Sequence, residues 1–342
     1  MSWFNLNLGA FSAALLSILF EGIPFLLLGS LISGLVDVYV SSARITRLIP
    51  KNPVAAVFVA ALLGIFFPIC ECGSVIVVRR FLKKGMPAAC AIAYMLAAPI
   101  VSPIVALSTW KAFAGQDAAL ITTLRLGMGF GVAVLMALII QRLPQRRILQ
   151  PALLAAEPET RRTGLRIAGG DGTEPQDFAM LAAQATPRRK LLLAAQSAVA
   201  DFLDVAFYFV IGASVASLCI GLKEPVITMF AHEPLLSIFV LMAAAAVLCL
   251  CSTTDAFVAA TAFQQFSTAS KLGFLVFGPM FDLKLFWLYG LIFKRRFVFV
   301  MAAMLFAIIA FICWRMSDIE RLGKPADGSA PPAQSDLAPA AK

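Results

Sequence analysis

Four of the seven cysteines stand in two Cys-x-Cys pairs, Cys70 with Cys72 and Cys249 with Cys251, each inside an apolar stretch. A thiolate is a soft ligand, suited to thiophilic ions and their organic forms. The i,i+2 spacing fits neither a zinc finger nor a relaxed local disulfide, so no resident structural metal and no cofactor are expected. If the four sulfurs act as metal ligands, the metal or metalloid is the substrate. Cys90, Cys219 and Cys313 stand singly and read as small apolar packing residues.

Carboxylates share these apolar surroundings: Glu21, Glu71, Asp201, Asp204, Asp255 and Asp282. Such groups are costly in hydrocarbon and mark ion or proton pathways by default. Glu21, Glu71, Asp204 and Asp255 are the candidates for proton coupling, whereas Asp201 reads equally well as a helix-end residue. Lys284 and Arg125 either neutralise two of these acids or snorkel to a headgroup layer. Two spans carry prolines, Pro99 with Pro103 and Gly278-Pro279, and a broken helix frees carbonyls that transporters use to hold substrate. Ser102 and Asp282 follow at equivalent places. Gly73 after the first cysteine pair and Ser252 after the second complete the candidate substrate site. Gly127 and Gly131 form a small-xxx-small pair that reads as helix packing. His232, beside Glu233, reads as a solvated loop residue.

What positions these residues is a membrane. Of 342 residues 61% are apolar and 14% charged, whereas a soluble domain carries about 25% charged residues. That excludes a cytosolic enzyme, a disordered scaffold and a disulfide-stapled secreted domain. A net charge of +9 belongs to loops on one side of a bilayer rather than to a nucleic-acid surface. The first apolar run, 11–36, has no basic residue ahead of it and reads as an uncleaved first span. Residues 142–192 hold nine Lys/Arg and five Asp/Glu and read as a polar linker; 316–342 read as a disordered tail. No phosphate-binding loop, zinc-protease motif, serine elbow or dinucleotide fingerprint occurs, so neither an ATP motor nor these enzyme classes are encoded.

The chain repeats itself. Glu21 and Gly29 align with Asp204 and Gly212, Cys70 with Cys249, and Ala98-Pro99 with Gly278-Pro279, in the same order and at a nearly constant offset. Two homologous membrane halves follow, 1–142 and 191–315, joined by a cytoplasmic linker, 143–190. Flanking the first cysteine pair are Arg44, Arg47, Lys51, Arg79, Arg80, Lys83 and Lys84; the matching flanks of the second hold only Lys223 and Lys271. The bias reverses at the later loop, where Lys294, Arg295 and Arg296 face a counterpart holding Lys111 and Asp117. Opposite charge at equivalent places predicts inverted repeats. About ten residues separate Cys72 from Lys83, roughly 15 Å of helix and half a bilayer. Each half is therefore expected to be three spanning helices plus a broken-helix hairpin carrying Cys-x-Cys, in an all-α polytopic fold.

Pro68-Ile69-Cys70-Glu71-Cys72-Gly73, then Arg80-x-x-x-Lys84-Gly85, then Ala97-Ala98-Pro99-Ile100-Val101-Ser102-Pro103 resemble the predicted-permease family that includes the ArsP-type organoarsenical efflux permeases. Cys249-Leu250-Cys251-Ser252 resembles the family's second cysteine element, with Ser252 replacing its glycine. The resemblance implies a bacterial inner-membrane permease and, by analogy, export of trivalent organoarsenicals; related branches are assigned to copper or zinc. The expected function is a gradient-driven exporter of a soft, thiol-seeking solute, with a lipid bilayer and a small-molecule or ion substrate as its partners and no nucleic acid. Two other readings stay open: a transmembrane thiol–disulfide conduit, which predicts a reversible bond such as Cys72–Cys251, and a membrane subunit that only anchors partners.

Overall fold

The computed structural model describes residues 8–39, 50, 52–66, 69–151, 187–221 and 234–322. His232, Glu233, Pro68, most of the linker, the tail beyond Leu322 and the basic flank 40–49 lie outside the described residues, as do the side chains of Glu21 and Cys219; residues 316–322, expected to begin a disordered tail, continue the last helix instead. The first half contributes α1 (Leu8–Tyr39), α2 (Pro53–Phe66), α3 (Glu71–Lys83), α4 (Ala88–Val101), α5 (Pro103–Ala112), α6 (Ala118–Ile140) and the single turn α7 (Gln145–Ile148). The second contributes α8 (Pro187–Gly221), α9 (Pro234–Leu248), α10 (Thr254–Thr261), α11 (Thr268–Met280), α12 (Leu283–Tyr289) and α13 (Arg295–Leu322). The only bridge of β type among the described residues joins Leu149 to Phe293.

Six helical stretches are long and apolar enough to cross a bilayer, three in each half: Phe11–Leu35, Ala88–Ala112, Ala118–Ile140, Arg188–Val215, Thr268–Tyr289 and Arg295–Ile319. The shorter α2 and α9 are apolar too, and each precedes a Cys-x-Cys turn. Helices apolar on every side are expected where lipid replaces water. α1 turns Leu16, Phe20, Leu27 and Leu31 outward, while α4 and α11 form the innermost pair.

The order of contacts recurs in the two halves. α2 packs on α4 as α9 packs on α11, and α4 packs on α6 as α11 packs on α13. The close approach of Gly64 to Ala98 in the first half is answered by Ala245 against Gly278 in the second. α1 and α8, the equivalent first helices, make the most extensive contact of all. They run antiparallel: Gly22 meets Phe209, whereas Gly34 meets Ala194 and Ala198, so numbers rise along one helix as they fall along the other. The two arms of the first broken element share α4 and differ in their second partner, α6 for α2 and α1 for α3.

Two expectations need correction. Pro99 and Pro279 lie inside α4 and α11, and the breaks come three residues later. In the first half the cause is Pro103, whose ring disfavours helical backbone at Ser102 and leaves it extended (φ −60°, ψ 135°). In the second no proline follows; Phe281 and Asp282 are extended, and the Asp282 carboxylate caps α12 by accepting the Leu285 N–H at 2.7 Å. Gly127 and Gly131 mediate no packing among the described residues, where a Cβ at either would meet nothing within 4 Å. The glycines that admit a close neighbour include Gly22, Gly29, Gly34, Gly64, Gly129 and Gly212.

A Cβ on Gly34 would sit 2.2 Å from the Ala194 carbonyl oxygen, a backbone atom that cannot swing aside. Gly34→Ala is therefore expected to cost about 1–3 kcal/mol, as overpacking does. Gly127→Ala is expected to be neutral or slightly stabilising, since Ala is the better helix former. Thermal unfolding of the purified protein in detergent separates the two.

Candidate transport site

The first turn is built by a helix start. Cys70 is the N-cap of α3, its sulfur accepting the Gly73 N–H at 3.4 Å, and the Ser74 hydroxyl donates to the Glu71 carbonyl at 2.8 Å. Glu71 thus sits in the first turn of α3, where the helix dipole favours a negative charge. Gly73 is pressed against Gly29 of α1; a Cβ on Gly29 would fall 2.7 Å from the Gly73 Cα. The turn can therefore lie directly on α1.

The second turn is less regular. α9 stops at Leu248, and Cys249 takes a left-handed conformation with positive φ, uncommon for a residue with a side chain. Its thiol donates to the Ala246 carbonyl at 3.4 Å, and the Thr253 hydroxyl lies 3.7 Å from the Cys251 sulfur. Three carbonyls of this turn find no helical partner and are held by cations. The Lys284 ammonium donates to the carbonyls of Cys249 (2.8 Å) and Leu250 (3.1 Å), and the Arg125 guanidinium to that of Ser252 (2.7 Å). Non-helical backbone at membrane depth requires such internal partners.

Lys284 also joins the halves. Its Nζ lies 3.0 Å from Glu71 Oε1 and 3.2 Å from Asp282 Oδ2, with all three side chains buried. Arg125, from α6, anchors its other arm on the Thr109 hydroxyl at 2.8 Å and is 1% exposed. Both cations neutralise acids or carbonyls in the interior, and neither snorkels. Asp255 lies close enough to Arg125 for electrostatic attraction, and one of its oxygens packs against Gly278, where a Cβ would come within 3.1 Å. Among the described residues Glu71 Oε2 and Asp255 Oδ2 are buried without a hydrogen-bond partner.

The two turns meet. Cys70, Glu71 and Cys72 from the first half line a single small cavity with Cys249, Cys251 and Lys284 from the second, together with Ile18, Gly22 and Phe209 of the antiparallel α1–α8 pair. Its volume is about 10 Å³, the room of about one water. The six cysteines described are free thiols. No group of three or more His, Cys, Asp or Glu among the described residues is disposed to hold a metal ion.

The other candidates fall around this cavity or away from it. Ser252 contributes its carbonyl to Arg125, Asp282 its carboxylate to Lys284, and Gly73 the contact with α1. Ser102 caps α5 by accepting the Ile104 N–H at 3.3 Å, and neither it nor Pro99 or Pro279 lines the cavity. Asp204 lies elsewhere, paired with Arg79 at 2.9 Å with its side chain 58% exposed, and Asp201 pairs with Arg80 at 2.6 Å. Sequence reasoning leaves Lys284 and Arg125 out of the candidate site, although a signal exists. Every broken helix leaves carbonyls that demand donors, and these are the cations within reach in apolar sequence.

Six helices long and apolar enough to span a membrane, packed around a core that buries a few charged groups where helices break, define a multi-pass membrane protein. The chain belongs to the ArsP-type family described as "Predicted permease", whose pattern it matches over residues 7–314. It is 33% identical over 296 residues to "UPF0718 protein YcgR" of Bacillus subtilis, covering 86% of this chain and 92% of that protein. It is 30% identical over 302 residues to a "Putative two-component membrane permease complex subunit" of Streptococcus mutans, covering 88% and 93%. No solved structure matches it. Family and spans together place it as a multi-pass protein of the bacterial membrane.

Removing one partner of a buried ion pair leaves the other uncompensated, at a cost of about 3–5 kcal/mol. Lys284→Met is expected to lower stability by that order, and Glu71→Gln by less, because the ammonium keeps its carbonyl acceptors. The double variant should fall short of the sum of the two, and a thermal-unfolding double-mutant cycle checks this coupling.

Proposed function

We propose that this permease is a secondary transporter exporting a soft, thiol-seeking solute, a trivalent organoarsenical or a soft metal ion, by alternating access between two inverted repeats. The observation that carries the reading is the meeting of both Cys-x-Cys turns, one from each half of the chain, in one cavity between the halves. Condensation with two thiols suits a thiophilic cargo, and four thiols on opposite walls offer it a place in each half. Inversion is supported by the antiparallel packing of α1 against α8, since equivalent helices of inverted repeats cross the membrane in opposite senses. In this reading the segments around Cys70 and Cys249 are re-entrant hairpins entering from opposite faces.

Glu71 and Asp255 are the proton-exchanging groups. Each keeps one buried oxygen without a partner, an acceptor free to take a proton when the cavity opens. Asp204, held by Arg79 away from the cavity, has no part in that exchange. A cavity with room for one water must widen before it admits any cargo, and that widening is the alternating-access step.

The name of the Streptococcus relative favours one further reading, that the working unit contains a second component. Flux catalysed by this chain alone in proteoliposomes would overturn it.

The test of the main reading is flux of methylarsenite, arsenite, Cu(I) and Zn(II) into proteoliposomes. One of these should move in the wild type. The variants Cys70→Ser with Cys72→Ser, and Cys249→Ser with Cys251→Ser, should each lose at least about tenfold, the equivalent of one lost soft contact worth about 1.4 kcal/mol. Undiminished flux of the transported solute in the quadruple variant removes the thiols from the mechanism.

A further inference from the structure

A second polar cluster joins the halves where no cargo chemistry is offered. Arg79 and Arg80, at the far end of α3, meet Asp204 and Asp201 of α8 at 2.9 and 2.6 Å. Asp201 also accepts from the Ser33 hydroxyl of α1 at 2.7 Å, and Arg80 donates to Ser197 at 2.8 Å. The cluster lies at one level. Arg80 follows the cavity-lining Cys72 along α3 by the same number of residues as Asp201 precedes the cavity-lining Phe209 along α8. That separation is about two turns of helix, a rise of about 12 Å. The cluster therefore caps the cavity on the side that carries Lys83 and Lys84.

The pairs grade from dry to wet. The side chains of Arg80 and Asp201 are 15% and 10% exposed, those of Arg79 and Asp204 22% and 58%. That gradient decides what can move. Lys284 and Arg125 are buried and bound to backbone carbonyls; parting them would strand charge with no water to replace the partner. An ion pair at the water's edge is worth little net, because water takes over both charges as they separate. Of the described ion pairs joining the halves, those between α3 and α8 lie nearest to water: Arg79–Asp204 opens at small cost, and the drier Arg80–Asp201 parts once water has followed it in.

We propose that Arg79–Asp204 and Arg80–Asp201 form the gate that seals the cysteine cavity from the Lys83–Lys84 face, and that both pairs part when that face opens. The inference rests on the alternating-access reading, but its test needs no cargo, so failure of the gate and failure of the transport assignment are read separately.

The test uses the full chain in membrane vesicles of both orientations. A charged, membrane-impermeant methanethiosulfonate is added, and modification of Cys70 and Cys72 is followed by peptide mass spectrometry. Asp201→Asn with Asp204→Asn should raise the modification rate at least about tenfold from the Lys83–Lys84 face only, the population shift that loss of one weak outer pair and one drier inner pair supplies. Asp204→Arg alone, which touches only the half-exposed outer pair, should also raise the rate, and adding Arg79→Asp should restore it by re-forming the pair with reversed sign. An unchanged rate in a folded neutralised variant, an equal rise from both faces, or failure of the charge swap to restore slow modification overturns the gate.

Discussion

A carbonyl inside a bilayer must find a donor within the protein, because no water is there to serve it. This constraint organises the centre of the permease. A chain that interrupts its helices at Cys249–Ser252 exposes carbonyls that only buried cations can satisfy, and Lys284 and Arg125 fill that role. A buried cation in turn needs an acid, so Glu71 and Asp282 gather around Lys284, and Asp255 lies near Arg125. The polar interior follows from broken backbone, and the cysteines sit where the backbone breaks.

The same interactions bind the halves together. Lys284 belongs to the second half, yet its acid partner Glu71 belongs to the first; Arg125 belongs to the first, yet it holds a carbonyl of the second. Each turn is thus completed by a side chain from the opposite repeat. The two turns line one cavity, but the chemistry on them is unequal. The first turn is a capped helix start with a carboxylate in its opening residue, and the second a left-handed kink clamped by two cations.

Small residues set how close the backbones come. Gly29 on Gly73 and Gly212 on Lys284 bring the paired first helices onto the elements that carry the central charges. The Gly127–Gly131 pair has the spacing of a packing motif but meets no neighbour among the described residues, since spacing alone does not say which side of a helix meets a neighbour. Similarly, the arginines after the first cysteine element serve as more than a sidedness signal. Arg79 and Arg80 are consumed by Asp204 and Asp201 across the α3–α8 contact.

Much was written in local sequence: the membrane class, the six spanning helices and the permease family. These depend on hydropathy and on landmarks in order along the chain, which need no knowledge of contacts. The helix breaks were legible to within three residues, because a proline announces an interruption while the residue before the next proline, or the next cap, decides its place. Tertiary structure alone decided which acid meets which base. Glu21 and Asp204 occupy equivalent positions in sequence, but Asp204 is claimed by an arginine 125 residues away, and Lys284 reaches a glutamate in the other half. Partnership between buried charges is a matter of distances across helices, and a linear order of residues carries no such distances.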